Sequence, residues 1–172
     1  MDFLELAKKR YSCRKFSDKE VEEEKLNKIL EAFRIAPTAC NYQPQRLLVV
    51  RDKENLKKIR FCTPCGWKAP VQILIFFDKD ISAKRRDDNL DLGYMDTSIA
   101  TTQMMLEACD LGLESTWIEM IKPEKVRKHF NVPENYEVFG LLVLGYADKE
   151  ANPSELHYNK KDISEFVKYE KF

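Results

Sequence analysis

A chain of 172 residues is long enough for one folded domain with a sizeable core, and a 44% hydrophobic content with ten Phe and seven Tyr argues against a disordered segment. Lys plus Arg equals Asp plus Glu at 29 each, a formal net charge of zero, which argues against nucleic acid as a partner because such binders carry a basic excess. No apolar run approaches the roughly 18 residues of a membrane span, and the start Met1-Asp2-Phe3-Leu4-Glu5 is acidic where a signal peptide needs a positive end. A cytoplasmic location with no membrane partner is therefore expected, and the odd count of five cysteines is expected to stay reduced.

Spacing predicts a short helix over Phe3 to Lys9, with Phe3, Leu6 and Ala7 on one side. A second helix is predicted to be capped by Ser17 or Asp18, with Glu20, Glu22, Glu23 and Glu24 in its first turns and a stripe of Leu26, Ile29, Leu30 and Phe33. Pro37 helps end it. A strand follows at Leu47 to Val50, then a short helix capped by Asp52 that carries Leu56 and Ile59. Val71 to Phe77 is a continuous apolar run, the pattern of a central strand buried on both faces. Asp78 to Asp88 is charged and reads as an exposed loop.

The longest predicted helix runs from Leu90 to Leu111 and stops at Gly112, a suitable residue just past a helix end. Ser98, Ala100, Thr101, Thr102 and Ala108 make it small on parts of its surface, which suits the centre of a fold or of a dimer. Ser115 to Glu119 reads as a short strand or extended loop. Pro123 opens a helix that ends near Phe130, and Val138 to Leu144 is the last strong strand. Asp162 to Tyr169 is predicted to be a terminal helix, with Asp162 and Glu165 spaced as a capping box. Helices and strands mix without regular alternation, the mark of an α+β fold in a single domain over residues 1–172.

Three clusters carry chemistry. In Arg10-Tyr11-Ser12-Cys13-Arg14-Lys15-Phe16 an extended backbone points Arg10, Ser12 and Arg14 to one side. Two guanidinium forks and a hydroxyl suit a phosphate, although basic residues after a helix also simply complement its dipole. In Ala36-Pro37-Thr38-Ala39-Cys40-Asn41-Tyr42-Gln43-Pro44 two prolines bracket Asn41 and Gln43, whose amides can read a heterocycle or only close a turn. Asn159-Lys160-Lys161 places two lysines ahead of the predicted terminal helix, either for an anion or for solvent. His129 and His157 show no ligand spacing, and no metal site is expected. Cys62-Thr63-Pro64-Cys65 has dithiol spacing but lacks the two further ligands of a zinc site.

In order and spacing these segments resemble the FMN-dependent nitroreductase family. The resemblance runs through Arg10-x-Ser12-x-Arg14-x-Phe16, Ala36-Pro37-Thr38-x-x-Asn41-x-Gln43-Pro44, Ala69-Pro70, Asp96, Leu111-Gly112-Leu113 and Gly145-Tyr146, and covers nearly the whole chain. It implies an α+β homodimer with a mixed or antiparallel central sheet flanked by helices and with FMN sites at the subunit interface. Arg10, Tyr11, Ser12 and Arg14 would then serve the FMN phosphate and ribityl chain, joined by Lys160 and Lys161. Pro37, Thr38, Asn41 and Gln43 would reach the flavin ring from the partner subunit, and Trp117 and Ile118 would lie near its reactive edge.

The chain departs from the family pattern at Thr38, where Ser is common, at Gln45, where an aromatic often sits, and at Ala147, where proline is frequent. Lysine also stands for arginine in the tail and lacks the guanidinium fork.

The implied activity is hydride transfer from NADH or NADPH through FMN to a small-molecule acceptor such as a nitroaromatic or quinone, in ping-pong fashion. The flavin would carry the chemistry, so no catalytic side chain is expected. A flavin-binding protein without efficient turnover, serving storage, sensing or degradation, is the alternative, as is a related dehalogenase or enone reductase.

Overall fold

The computed structural model describes residues 2–172. Nine helices and strands run in the order α1 (Phe3–Lys9), α2 (Glu23–Arg34), β1 (Gln45–Val50), α3 (Lys53–Cys62), β2 (Val71–Asp78), α4 (Gly93–Asp110), β3 (Glu114–Ile118), α5 (Pro123–Phe130) and β4 (Tyr136–Gly145) among the described residues, with short 3-10 turns at Ala39–Asn41, Glu155–His157 and Ile163–Glu165.

The strands form one sheet in the order β1-β2-β4-β3, and every neighbouring pair is antiparallel. Strand β2 is central, and residues Val71 to Phe77 are buried throughout, as the apolar run requires. Its side chains alternate between two cores. Val71, Ile73 and Ile75 face the cluster built by α2 and α4, with Leu26, Ile29, Phe33, Ala100 and Met104. Leu74 and Phe76 face the cluster built by α3 and α5, with Ile59, Cys62 and Val126. The sheet is thus sandwiched between two helix pairs.

Local chemistry explains most boundaries. The Asp2 carboxylate accepts from the Leu4 and Glu5 amides to start α1, and Asp52 does the same for Glu54 and Asn55 at α3. Helix α4 ends at Gly112, whose φ is +75°, with the Leu113 amide reaching back to the Ala108 carbonyl at 2.8 Å. The small side chains of α4 do lie at the centre: Thr97, Ala100, Thr101 and Ala108 are buried.

Three expectations are corrected. Helix α2 begins at Glu23 rather than just after Ser17 or Asp18, because tertiary partners claim the chain before it. The Ser17 amide donates to the Tyr146 carbonyl at 2.9 Å, and the Tyr146 hydroxyl donates to the Glu22 carboxylate at 2.7 Å. Helix α4 begins at Gly93, not Leu90; the Asp91 carboxylate takes the Gly93 amide at 2.9 Å. The predicted terminal helix is only a 3-10 turn at Ile163–Glu165. Ile163, Phe166 and Tyr169 are all exposed there, so no packed face offsets the cost of nucleating a helix. The Glu165 carboxylate pairs with Lys161 instead of closing a capping box.

Candidate active site

The Arg10–Phe16 segment runs extended along the edge of the sheet. It bridges to β3 at Ser12↔Ser115 and to the segment after β4 at Phe16↔Ala147. The Cys13 amide donates to the Ser115 carbonyl at 3.2 Å, and the Thr116 hydroxyl donates to the Cys13 carbonyl. The backbone alternation follows directly: Tyr11 and Cys13 are buried, Arg10 and Ser12 are half-buried, and Arg14 is exposed. The Arg14 guanidinium lies over the Trp67 ring, 5.7 Å from its centroid.

Arg10 and Ser12 line a cleft of about 560 Å3 with Thr102, Met105 and Leu106 of α4, Trp117 of β3 and Glu119. A smaller cleft of about 220 Å3 adjoins it at Ser12 and brings in Arg14, Lys15, Asn152 and Ser154. Among the described residues no carboxylate lies within 4.0 Å of the Arg10 or Arg14 guanidinium, although Arg14 Nη1 donates to the Ser12 carbonyl at 3.4 Å, so both keep charged donors for an anion. Trp117 sits over Gly140, where a Cβ would come within 3.0 Å of the indole Nε1 and 2.9 Å of the Ile118 carbonyl. That indole N–H is buried without a partner. Ile118 itself is buried behind the cleft wall.

Glu114, at the start of β3, lies in the same neighbourhood. One of its carboxylate oxygens is buried without a partner. Burial pushes its pKa up to about 7, against the pull of Lys9 and Arg10. Burial likewise raises the Tyr11 hydroxyl and the Cys13 thiol.

The Pro37–Gln43 loop is a second constellation. Cys40, Asn41 and Gln43 all have left-handed backbones, with φ of 53°, 55° and 51°. Each such non-glycine residue costs roughly 1–2 kcal/mol, so something must hold them. The Ala39 amide donates to the Asp96 carboxylate at 2.8 Å, the Gln43 amide donates to the Thr38 hydroxyl at 3.1 Å, and the Gln43 side chain donates to the Asn41 carbonyl at 3.1 Å. Asp96 is 3% exposed, its second oxygen has no partner, and burial raises its pKa. Pro37, Asn41 and Gln43 face solvent. No residue of this loop lines the Arg10 cleft, so one chain alone does not bring the two constellations together.

The structure does not place the tail lysines in either cleft. Lys160 and Lys161 are exposed, and Lys161 pairs with Glu165 at 3.0 Å. The tail approaches the site earlier along the chain, where the Asp148 amide donates to the Lys15 carbonyl and the His157 ring bonds the Lys8 carbonyl at 3.0 Å. Residues that sequence reasoning did not assign to the site include Met105, Glu114 and Trp67. Helix α4 forms a wall of the cleft through Thr102, Met105 and Leu106, whereas its small face, expected at the centre of the fold or of a dimer, is largely buried in the core. The Cys62 and Cys65 thiols are both free; Cys62 is buried, and burial raises its pKa. Among the described residues no group of three metal-ligating side chains is clustered, and no helix is long and apolar enough to cross a membrane.

The sheet held between two helix pairs is a fold this chain shares with solved nitroreductase structures. A nitroreductase family protein from Clostridium difficile 630 superposes with a TM-score of 0.94 at 44% identity, covering all of both chains. An FMN-dependent nitroreductase from Clostridium difficile R20291 superposes at 0.82 with 31% identity, covering 99% of this chain and all of the other. An FMN reductase [NAD(P)H] from Bacillus subtilis is 28% identical over 84% of this chain and 66% of its own length. The nitroreductase family model matches residues 7–61 and 61–146. The chain belongs to the nitroreductase family.

Proposed function

We propose that this protein is an FMN-dependent oxidoreductase that uses NADH or NADPH to reduce a small acceptor such as a nitroaromatic or quinone. The observation that carries this reading is the Arg10 cleft: a guanidinium without a carboxylate partner stands beside Ser12 on one wall and the indole of Trp117 on another. That donor set fits FMN, whose phosphate needs charged donors and whose ring needs an apolar wall. The relatives named for FMN and NAD(P)H support it.

In this reading Arg10, Ser12 and Arg14 bind and orient the phosphate and ribityl chain, and Tyr11 and Cys13 anchor the strip from below. Thr102 and Met105 of α4 close the floor, and Trp117 excludes water from one edge, with Ile118 packed behind it. FMN, if bound there, would supply the two-electron redox chemistry between the nicotinamide and the acceptor, while these residues hold and orient it.

A homodimer completes the site. Helix α4 exposes Met95 and Ile99 at 47% and 43%, and the tail exposes Leu156, Tyr158, Ile163, Phe166 and Tyr169. Such a concentration of outward apolar side chains marks an interaction surface, and a second copy would bring the Pro37–Gln43 loop, which is remote from its own Arg10 cleft, toward the partner's. Lys160 and Lys161 travel on that same tail and would meet the phosphate only in the assembled dimer. The test is the absorption spectrum of freshly purified protein with identification of the released cofactor. Bound FMN in about one copy per chain is expected; a colourless protein that does not take up added FMN contradicts the reading.

A further inference from the structure

A second cleft lies between the end of α3 and the loop that leads into β2. It has a volume of about 530 Å3 and is lined by Arg60, Trp67, Lys68, Gln72 and Asp18 among others. Neither Arg60 nor Lys68 has a carboxylate within 4.0 Å among the described residues, so two unpaired cations stand against the single carboxylate of Asp18. Trp67 and Lys68 are consecutive left-handed residues with φ of 39° and 56°, the kind of backbone strain that persists at ligand clamps.

Gln72 holds this loop in place. It is 4% exposed, and its side-chain amide donates to the carbonyls of Gly66 and Ala69 at 3.2 and 3.4 Å. Its carbonyl oxygen Oε1 has no partner. Gly66 packs so close that a Cβ there would meet the Gln72 amide at 3.1 Å. The cleft neighbours the proposed flavin site through a chain of side chains: Trp67 lies under Arg14, Arg14 shares the small cleft with Ser12, and Ser12 shares the main cleft with Arg10.

We infer that this second cleft binds the adenosine diphosphate end of the nicotinamide reductant, an inference that rests on the oxidoreductase reading above. The chemistry matches part by part. Arg60 and Lys68 are donors for the diphosphate, and the Trp67 indole is a stacking surface for adenine. The volume lies within the roughly 300–1,000 Å3 of small-molecule sites. The chain carries no glycine-rich dinucleotide fingerprint, so any grip on the nucleotide has to be built elsewhere, and this cleft supplies it.

Two measurements test the assignment. Calorimetric titration of ADP into the purified protein should show binding that weakens by about tenfold or more in the R60A/K68A variant, with inorganic phosphate alone binding less tightly than ADP to the parent protein. No ADP binding, or equal affinity in parent and variant, overturns it. Both substituted residues are exposed, and an unfolding curve verifies that the variant folds; the single R60E variant gives the same readout independently. In turnover, the ratio of kcat/KM for NADH or NADPH to that for 1-benzyl-1,4-dihydronicotinamide, which lacks the nucleotide, should fall by about tenfold or more in the variant. An unchanged ratio also overturns the assignment. If neither reductant reduces the flavin, the oxidoreductase reading fails, while the ADP titration still judges the cleft by itself.

Discussion

The Ala39 amide donates to the Asp96 carboxylate at 2.8 Å, and this bond fixes a strained loop to the first turn of the central helix. Replacing Asp96 with Ala removes the acceptor and leaves the amide without it, a loss of roughly 1–3 kcal/mol in folding stability. Asp96→Asn keeps an acceptor and removes a buried charge, so its stability should stay within about 1 kcal/mol of the parent. Urea unfolding reads the first effect. A fluorescence titration of FMN should show weaker binding in Asp96→Ala than in Asp96→Asn if the loop serves the flavin.

Arg14 and Lys149 separate charge from site. Both are exposed, but only Arg14 lines the cleft next to Ser12 and stacks on Trp67. Arg14→Ala should weaken FMN retention by about tenfold or more, through loss of a charge-assisted contact. Lys149→Ala should leave it unchanged. Equal FMN affinities in the two variants would count against the phosphate assignment.

Glu114 makes stability depend on pH. Its folded pKa of about 7 lies above its ordinary value of 4.5, because burial disfavours the carboxylate. Between those values the folded chain binds more protons than the unfolded one, so this carboxyl lowers stability as pH rises from about 4.5 to about 7, and the loss is complete above that. Glu114→Gln should therefore flatten stability across that window and gain about 1–2 kcal/mol at pH 8, a figure reduced for the carboxyl's partial exposure. Denaturant melts at several pH values measure this; parallel pH profiles in parent and variant would show that Glu114 does not titrate there.

Ile99 is an exposed residue on α4, one turn from Met95. Introducing Glu there leaves the monomer core untouched, yet places a charge in the apolar face assigned to the second copy. Light scattering after gel filtration should report a monomer for Ile99→Glu, with bound flavin lost in parallel. A flavin-loaded dimer in that variant would place the interface elsewhere.

Sequence patterns carry far where local chemistry decides structure. The apolar run of Val71 to Phe77, the Asp52 cap and Pro123 at the start of α5 each become the element they predict. The Arg10, Ser12 and Arg14 alternation also persists, because the segment pairs with the sheet edge and so must be extended. Where distant partners decide, the pattern misleads. The acids from Glu20 onward resemble a first turn, but Tyr146 takes Glu22 for itself. The capping spacing at Asp162 needs a packed face that the lone chain lacks. Near Cys40 and Gln43 no glycine signals left-handed backbone; only Asn41 is a residue that adopts it readily, and the clamp comes from Asp96. The Arg14–Trp67 stack likewise joins residues far apart in the chain.

The most direct test of the flavin oxidoreductase reading is anaerobic mixing of the purified, flavin-loaded protein with NADH or NADPH while the visible absorption of oxidised flavin is followed. Rapid bleaching by at least one reductant, with colour restored by a nitroaromatic or quinone, is the predicted result. A bound flavin that stays oxidised with both reductants would contradict that reading and identify the protein as a flavin carrier without turnover.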